Sequence, residues 1–215
     1  MQDNHYYILK PAVGTEETGM AFPAVESYDD YDFDGPSSVH TLKTHTPIIN
    51  DIDIKFKLAK KANFTDLLSQ ATINSTGFLI SEKFLSIIET YNVIPFAIYP
   101  TEIVSKQSTK TYYWIHFVWQ EWHEYVNWQL STFRLFENGG FTPIEINSYS
   151  QYIKEVNKSQ YFRIAPDKPI LFQIDYDLYN HPFQGETFIS KEFAIAISSN
   201  NLTGINISEN LNLTT

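Results

Sequence analysis

Three stretches of this chain hold residue types that could do chemistry. In Asp30-Tyr31-Asp32-Phe33-Asp34-Gly35, carboxylates alternate with aromatics and glycine stands sixth. Hard oxygens spaced around one turn suit a hard cation, and the pattern matches the first half of a calcium loop. The twelfth position is Thr41, so the glutamate that would close the coordination shell is missing. With Asp29 beside it, the same run also reads as a solvated acidic contact surface. The second stretch, His116 to Glu124, mixes His116, Trp119, Glu121, Trp122, His123 and Glu124. Histidines are candidate bases or ligands. Glu121 with Glu124 could serve a hydrolase or a sugar-processing enzyme as paired carboxylates. No His-Glu-X-X-His spacing fixes their geometry. Trp119 and Trp122 read as core residues or as interface anchors, and with Glu121 and Glu124 they also fit a partner-binding patch. The third stretch places Asp175 and Asp177 on one face of an alternating run, where like charges repel unless solvated.

Other signatures are missing. There is no Gly-X-Ser-X-Gly, no phosphate-binding Gly-X-X-X-X-Gly-Lys-Ser/Thr and no Gly-X-Gly-X-X-Gly. The chain has no cysteine, which excludes disulfides, thiol nucleophiles and cysteine-based zinc sites. No catalytic residue, resident metal or cofactor is therefore assigned. Lys55, Lys57, Lys60 and Lys61 form the one basic cluster and read as a solvated face.

Charge points to a kind of partner. The 215 residues carry a net charge of −10, which argues against a binder of nucleic-acid backbones. Residues 1–35 hold eight acids against one base, Lys10, so most of the acidity sits at the N-terminus. The same segment carries Tyr6, Tyr7, Phe22, Tyr28, Tyr31 and Phe33. The N-terminus shows neither a basic start nor an apolar core of a leader, and no run approaches the roughly 18 apolar residues of a spanning helix. A cytoplasmic protein without membrane contact is expected.

Elements must position these residues. A short strand is expected at His5–Leu9, followed by an irregular stretch from Pro11 to Pro47 broken by glycines and prolines. Ile52, Ile54, Phe56 and Leu58 alternate with charged residues, which predicts a half-buried strand over 48–58. Four helices are expected. The first starts at Asn63 with Phe64, Leu67, Leu68 and Ala71 on one face. The second starts at Ser81 with Phe84, Ile87, Ile88 and Tyr91. The third has a Ser148–Gln151 capping box, and the fourth starts at Ser190. Phe96–Val104 and Thr111–Trp119 should pair across Lys106–Ser108. Tyr112–Trp119, apolar on both faces, should be a central strand. Tyr125–Phe136 and Phe141–Ile146 flank Asn138-Gly139-Gly140, a hairpin signal. Ile170 to Asp177 alternates like a further strand. An offset of 109 aligns Ile80-Ser81 with Ile189-Ser190, Phe84 with Phe193, Ile88 with Ile197, and Asn92 with Asn201. This suggests a duplicated strand–helix–strand unit; shared helix-start chemistry is the plainer account.

The run Gly77-Phe78-Leu79-Ile80-Ser81-Glu82-Lys83-Phe84, continuing through Ile88 to Tyr99-Pro100, resembles a family signature. So do Tyr112-Tyr113-Trp114-Ile115-His116-Phe117-Val118 and Tyr125-Val126-Asn127-Trp128 with Ser131-Thr132-Phe133. Over roughly residues 60–207 the chain resembles immunity proteins of bacterial polymorphic-toxin systems, of the Immunity protein 43 type and its broader relatives. Asn127 departs from the acid expected there, and residues 1–47 lie outside the match. The resemblance implies a cytoplasmic protein that binds one cognate toxin and blocks it by occlusion.

The expected fold is α+β: antiparallel or mixed sheets with short helices on one side. The expected organisation is an acidic irregular segment over 1–47 and an immunity-like domain over 48–215. The expected function is toxin neutralisation, with a cognate protein toxin as partner and Asp29, Asp30, Asp32, Asp34, Trp119, Glu121, Trp122 and Glu124 as contact residues. A carboxylate-using hydrolase and a calcium-dependent binding module with Asp30, Asp32 and Asp34 as ligands are the alternatives. Oligomeric state stays open.

Overall fold

A computed structural model describes residues 6–42, 52–73, 76–137, 139–158, 163–172, 174–183 and 185–209. It is a mixed α+β fold with short helices packed on antiparallel and mixed sheets. In chain order the strands are β1 (Tyr7–Pro11), β2 (Val25–Ser27), β3 (Lys55–Leu58), β4 (Leu67–Leu68), β5 (Gly77–Ile80), β6 (Phe96–Val104), β7 (Thr109–Phe117), β8 (Thr132–Glu137), β9 (Gly140–Ile144), β10 (Arg163–Lys168), β11 (Leu178–Asn180), β12 (Thr187–Ile189) and β13 (Ile205–Glu209). The helices are α1 (Glu82–Ile88), α2 (Tyr149–Val156) and α3 (Lys191–Ser199). The chain divides into two compact units. One takes Met1–Gln120, Tyr176–His181 and Gly185–Asn210; the other takes Glu121–Asp175 and Pro182–Gln184.

The first unit holds a six-stranded sheet, β2-β3-β6-β7-β5-β4, and a four-stranded one, β11-β12-β1-β13. β7 is central, as its two apolar faces require, and Trp114, Ile115, His116 and Phe117 on it are buried. β6 and β7 pair in the expected hairpin, Phe96 opposite Phe117 and Val104 opposite Thr109. Of the run predicted over 48–58, Lys55–Leu58 form β3, which lies parallel to β6; residues 48–51 lie outside the described residues.

The duplication is visible in the ladders. Strands β4-β5-β7-β6 and β11-β12-β1-β13 have the same order, all antiparallel. The registers agree residue for residue. Ile80 faces Tyr113 as Ile189 faces Tyr7, and Ile98 faces Ile115 as Ile207 faces Leu9. Leu67 faces Ile80 as Leu178 faces Ile189. The second copy is permuted: its counterpart of β7 is β1, supplied from the N-terminal end of the chain.

The two copies are locked by matching caps. The Ser81 hydroxyl donates to Asp66 Oδ1 (2.6 Å), and its oxygen accepts the Phe84 N–H that opens α1 (3.2 Å). The Ser190 hydroxyl donates to Asp177 Oδ1 (2.7 Å) and accepts from the Phe193 N–H of α3 (3.1 Å). These are N-caps, each satisfying an orphan helix donor. The second carboxylate oxygen crosses to the other copy. Asp66 Oδ2 accepts the N–H and hydroxyl of Thr203, both at 2.8 Å, and Asp177 Oδ2 accepts the Asn92 N–H at 3.0 Å. Each aspartate thus holds the loop that follows the other copy's helix. Between them Phe84 meets its counterpart Phe193, ring centroids 6.3 Å apart. Gly204, just past Thr203, has φ +74°, and a Cβ there would collide with the Leu67 carbonyl and the Thr65 side chain.

The second unit holds the sheet β10-β8-β9 and α2. The Gly139-Gly140 hairpin joins β8 to β9, and Ser148 caps α2 by accepting from the Gln151 N–H (3.2 Å). Trp122, Trp128, Phe133, Tyr152 and Phe183 pack as its aromatic interior, with centroids 5.1–6.3 Å apart.

Three expectations about the fold are corrected. Residues 63–71 form no helix. The Asn63 amide donates to the carbonyls of Glu16 and Glu17, Asp66 is committed to Ser81 and Thr203, and Leu67–Leu68 become β4. Side-chain bonds of this kind compete with helix formation. The described residues of 170–177 form no strand. The Ile170 N–H is taken by the Ser131 hydroxyl (2.9 Å); the Ile170 carbonyl accepts the Asn127 N–H and the Tyr125 carbonyl the Phe172 N–H (both 2.8 Å), and among the described residues the pairing stops at one bridge, Val126 to Leu171. Of the strand expected over Tyr125–Phe136, Tyr125 ends a 3-10 turn (Trp122–Tyr125) and Trp128–Leu130 form a further turn, so β8 begins only at Thr132. Within the segment expected to be irregular, β1 lies between β12 and β13, and Val25, Val39 and Leu42 are buried in the core with Phe56 and Trp114.

Candidate partner-binding surface

The acidic loop is held by its aromatic residues. The Tyr31 hydroxyl donates to the Asp53 carbonyl (2.6 Å) and accepts the Val39 N–H (2.9 Å). Phe33 packs edge-on against Tyr31 at 4.7 Å and tilts against His40 at 5.0 Å. Asp53 N–H donates to the Ser37 carbonyl (2.8 Å), and Asp32 Oδ1 accepts the Asp34 N–H (3.2 Å). The rings turn inward and the carboxylates outward: Asp29, Asp30, Asp32 and Asp34 are all exposed. The alternating aromatics, Tyr31 and Phe33, anchor the loop that carries these aspartates. Among the described residues no three Asp, Glu or His side chains converge as metal donors.

Beside the loop lies an open groove of about 600 Å³, lined by Tyr28, Asp30, Asp53, Ile54, Lys55, Pro100, Thr101, Glu102, Val104 and Thr111. Its floor is the parallel seam of β3 and β6, where the buried Thr101 hydroxyl donates to the Ile54 carbonyl (2.5 Å). Lys55 pairs with Asp53 at 2.9 Å, and Lys57 reaches Asp29 at 3.6 Å. The hydrogen bond that Lys55 donates to Asp53, then the Asp53 charge, hold the Lys55 ammonium above the usual lysine value, and the Asp30 carboxylate adds to the effect. Among the described residues Asp30 and Glu102 have no ion-pair partner of their own. The groove wall therefore carries three carboxylates and one ammonium.

The four aspartates are thus brought together, while the remaining predicted contact residues are placed elsewhere. Trp119, 5% exposed, packs edge-on against Tyr176 and Tyr179. Trp122, 8% exposed, belongs to the aromatic interior of the second unit. Their burial corrects the expectation of aromatic anchors: both are already consumed by the chain's own packing. Glu121 and Glu124 are exposed on the 3-10 turn of that unit, and neither lines the groove. Asp177, half of the other carboxylate pair, is spent on capping α3. His116 is buried on β7, and His123 stacks on Tyr149 at 4.0 Å.

Two large, exposed apolar residues of the first unit lie where the sequence was read as irregular. Met20 is 75% exposed and Phe22 68% exposed. Their one sequence signal is position: both stand between Gly19 and Pro23, outside any periodic run.

No protein-family model matches the chain, and no curated protein matches it. Among the described residues no helix is long and apolar enough to cross a membrane.

Proposed function

We propose that this chain is an immunity protein, which binds a cognate bacterial toxin in the cytoplasm and neutralises it by occlusion. The observation that carries the reading is the anchored acidic loop. Four exposed aspartates on a loop fixed by Tyr31 present a preorganised negative field. Such a field steers a basic partner and accelerates encounter, in a salt-dependent way. Many toxins that act on nucleic acids need a basic cleft, so an acidic protein can fill one. The likeness of residues 60–207 to polymorphic-toxin immunity proteins supports the same reading. Inhibition of this kind asks for surface complementarity rather than reacting groups.

The test is capture of the tagged protein from its native cells at low salt, followed by co-expression of what co-elutes. The expected result is a stoichiometric, salt-released protein that arrests growth alone and not together with this chain. Neutralising Asp29, Asp30, Asp32 and Asp34 to asparagine should slow its association several-fold at low salt and much less at high salt. A captured protein that is harmless alone, or no captured protein from cells making the toxin, would overturn the reading.

A further inference from the structure

We infer that the face around β2 is the docking surface, with Met20 and Phe22 as apolar anchors and the Asp29–Asp30 end as its charged rim. The complementary partner presents an apolar socket flanked by lysine or arginine. This rests on the reading above only for the partner's identity.

The anchors are held, not frayed. Met20 N–H donates to the Lys61 carbonyl (2.8 Å), and Gly19 bridges to Ala62. Two residues beyond Phe22, the Ala24 N–H donates to Ser69, and the Ala24 carbonyl accepts from the Ala59 N–H (2.9 Å). Backbone pinned on both sides, with the two large apolar side chains left in water, is how a low-entropy hot spot is presented. Ordinary surface scatter would not place two such residues two positions apart on a fixed backbone.

The charge lies within reach of the anchors. Asp29 follows Phe22 by seven residues, so the two are at most about 25 Å apart. An interface of standard size, about 800 Å² per partner, spans roughly 30 Å, which is wide enough to take in both. Asp30 continues the rim into the groove, where Glu102 adds a second carboxylate without an ion-pair partner among the described residues. At the opposite end the exposed Lys60 and Lys61 back Met20. The face is therefore polar from end to end, which sets the orientation: the partner's basic groups meet the Asp29–Asp30 end. Exposed carboxylates steer, while the apolar anchors set the dissociation rate.

The experiment places the photocrosslinker p-benzoylphenylalanine in turn at Met20, Phe22, Leu130 and Ile195 of the full chain, in the native cells. Leu130 and Ile195 are exposed to a similar degree, 60% and 56%, and serve as controls. Expected are adducts with one basic protein at 20 and 22 and none at 130 or 195. Phe22→Ser should weaken binding of that protein at least about 30-fold with an unchanged melting curve. Asp29→Asn with Asp30→Asn should lower the association rate about 3- to 10-fold and flatten its salt dependence. Adducts at 130 or 195 but not at 22 overturn this surface and leave the toxin reading standing. Adducts at 22 with a protein that is harmless alone keep the surface and overturn that reading. Adducts of the chain with itself at 22, unchanged affinity in Phe22→Ser, or no adduct at any position overturn the inference.

Discussion

Acid should weaken this fold through one buried histidine. His181 follows β11 and is buried, its ring against Phe188 at 5.8 Å. Its backbone N–H donates to the Glu186 carbonyl (2.7 Å), while the Glu186 carboxylate is held by Lys10 (2.7 Å). Burial pushes the imidazole down to about 4 from the ordinary 6.5. As pH falls, the unfolded chain takes up this proton first, so the unfolded state is favoured. The contribution to stability is intact above about 6.5 and is lost progressively as pH falls through 4. Two-state linkage gives a loss of about 2 kcal/mol by pH 5 and about 3 kcal/mol by pH 4. Urea denaturation at pH 7.5 and 5.0 reads this above the range where carboxylates titrate. With a slope of about 2–3 kcal/mol per molar, the midpoint should fall by about 0.7–1 M. His181→Gln loses some packing at every pH, and its midpoint should fall much less between the two. Equal falls in wild type and variant would refute the assignment of acid sensitivity to His181.

The matching caps and the permuted repeat give two more tests. Asp66→Asn should destabilise by about 1–3 kcal/mol, since it leaves the Ser81 and Thr203 donors poorly matched. Burial raises the Asp66 carboxyl, but the hydrogen bonds from Ser81 and Thr203 outweigh it and hold the group below the ordinary value. The wild type should therefore lose this term only as pH drops below about 4, and the variant's acid limb in urea denaturation should be flatter. Tyr7 faces Glu209 as Tyr113 faces Pro100, and the facing ends of β13 and β1 accept a four-residue turn like the one between Val104 and Thr109. A circular permutant with a four-residue linker from Glu209 to Tyr7, opened between Ser105 and Ser108, should fold with the wild-type circular-dichroism spectrum and a melt within about 10 °C. A molten or insoluble product would refute the equivalence of β1 and β7.

Legibility followed the range of the forces. Ser81, Ser148 and Ser190 were readable as helix starts because an N-cap bonds within three residues. β6, β7 and the Gly139-Gly140 hairpin were readable because alternation and turn chemistry are local. Asp66 and Asp177 were not, because the serines they hold lie 15 and 13 residues away and their other partners lie in the opposite copy. Leu67 and Leu68 carried a helical stripe that this distant bonding overrode. At the candidate site the carboxylates were readable as a charge cluster, and the alternating aromatics anchor the loop through Tyr31. Trp119 and Trp122 misled because composition reports how much apolar area a ring offers, not whether the chain itself covers it. Met20 and Phe22 gave the complementary error: in a polar, breaker-rich stretch they carry no period to mark them.

The repeat also separates scaffold from embellishment. β4 to β7 with α1, and β11 to β13 with α3 and β1, account for one another register by register, and both aspartates are spent within that symmetry. Residues 12–42, with β2, the acidic loop and the exposed Met20 and Phe22, have no described counterpart in the second copy, and neither does β3. A fold stabilised by its duplicated part is free to vary the rest. Selection for a partner acts on surface that the scaffold does not need. The strongest local charge imbalance of the chain lies there, on a loop whose aromatic side chains hold it rigid. That coincidence of non-repeated structure, unspent carboxylates and uncovered apolar side chains is why recognition is assigned to the N-terminal segment and not to the tryptophan-rich interior.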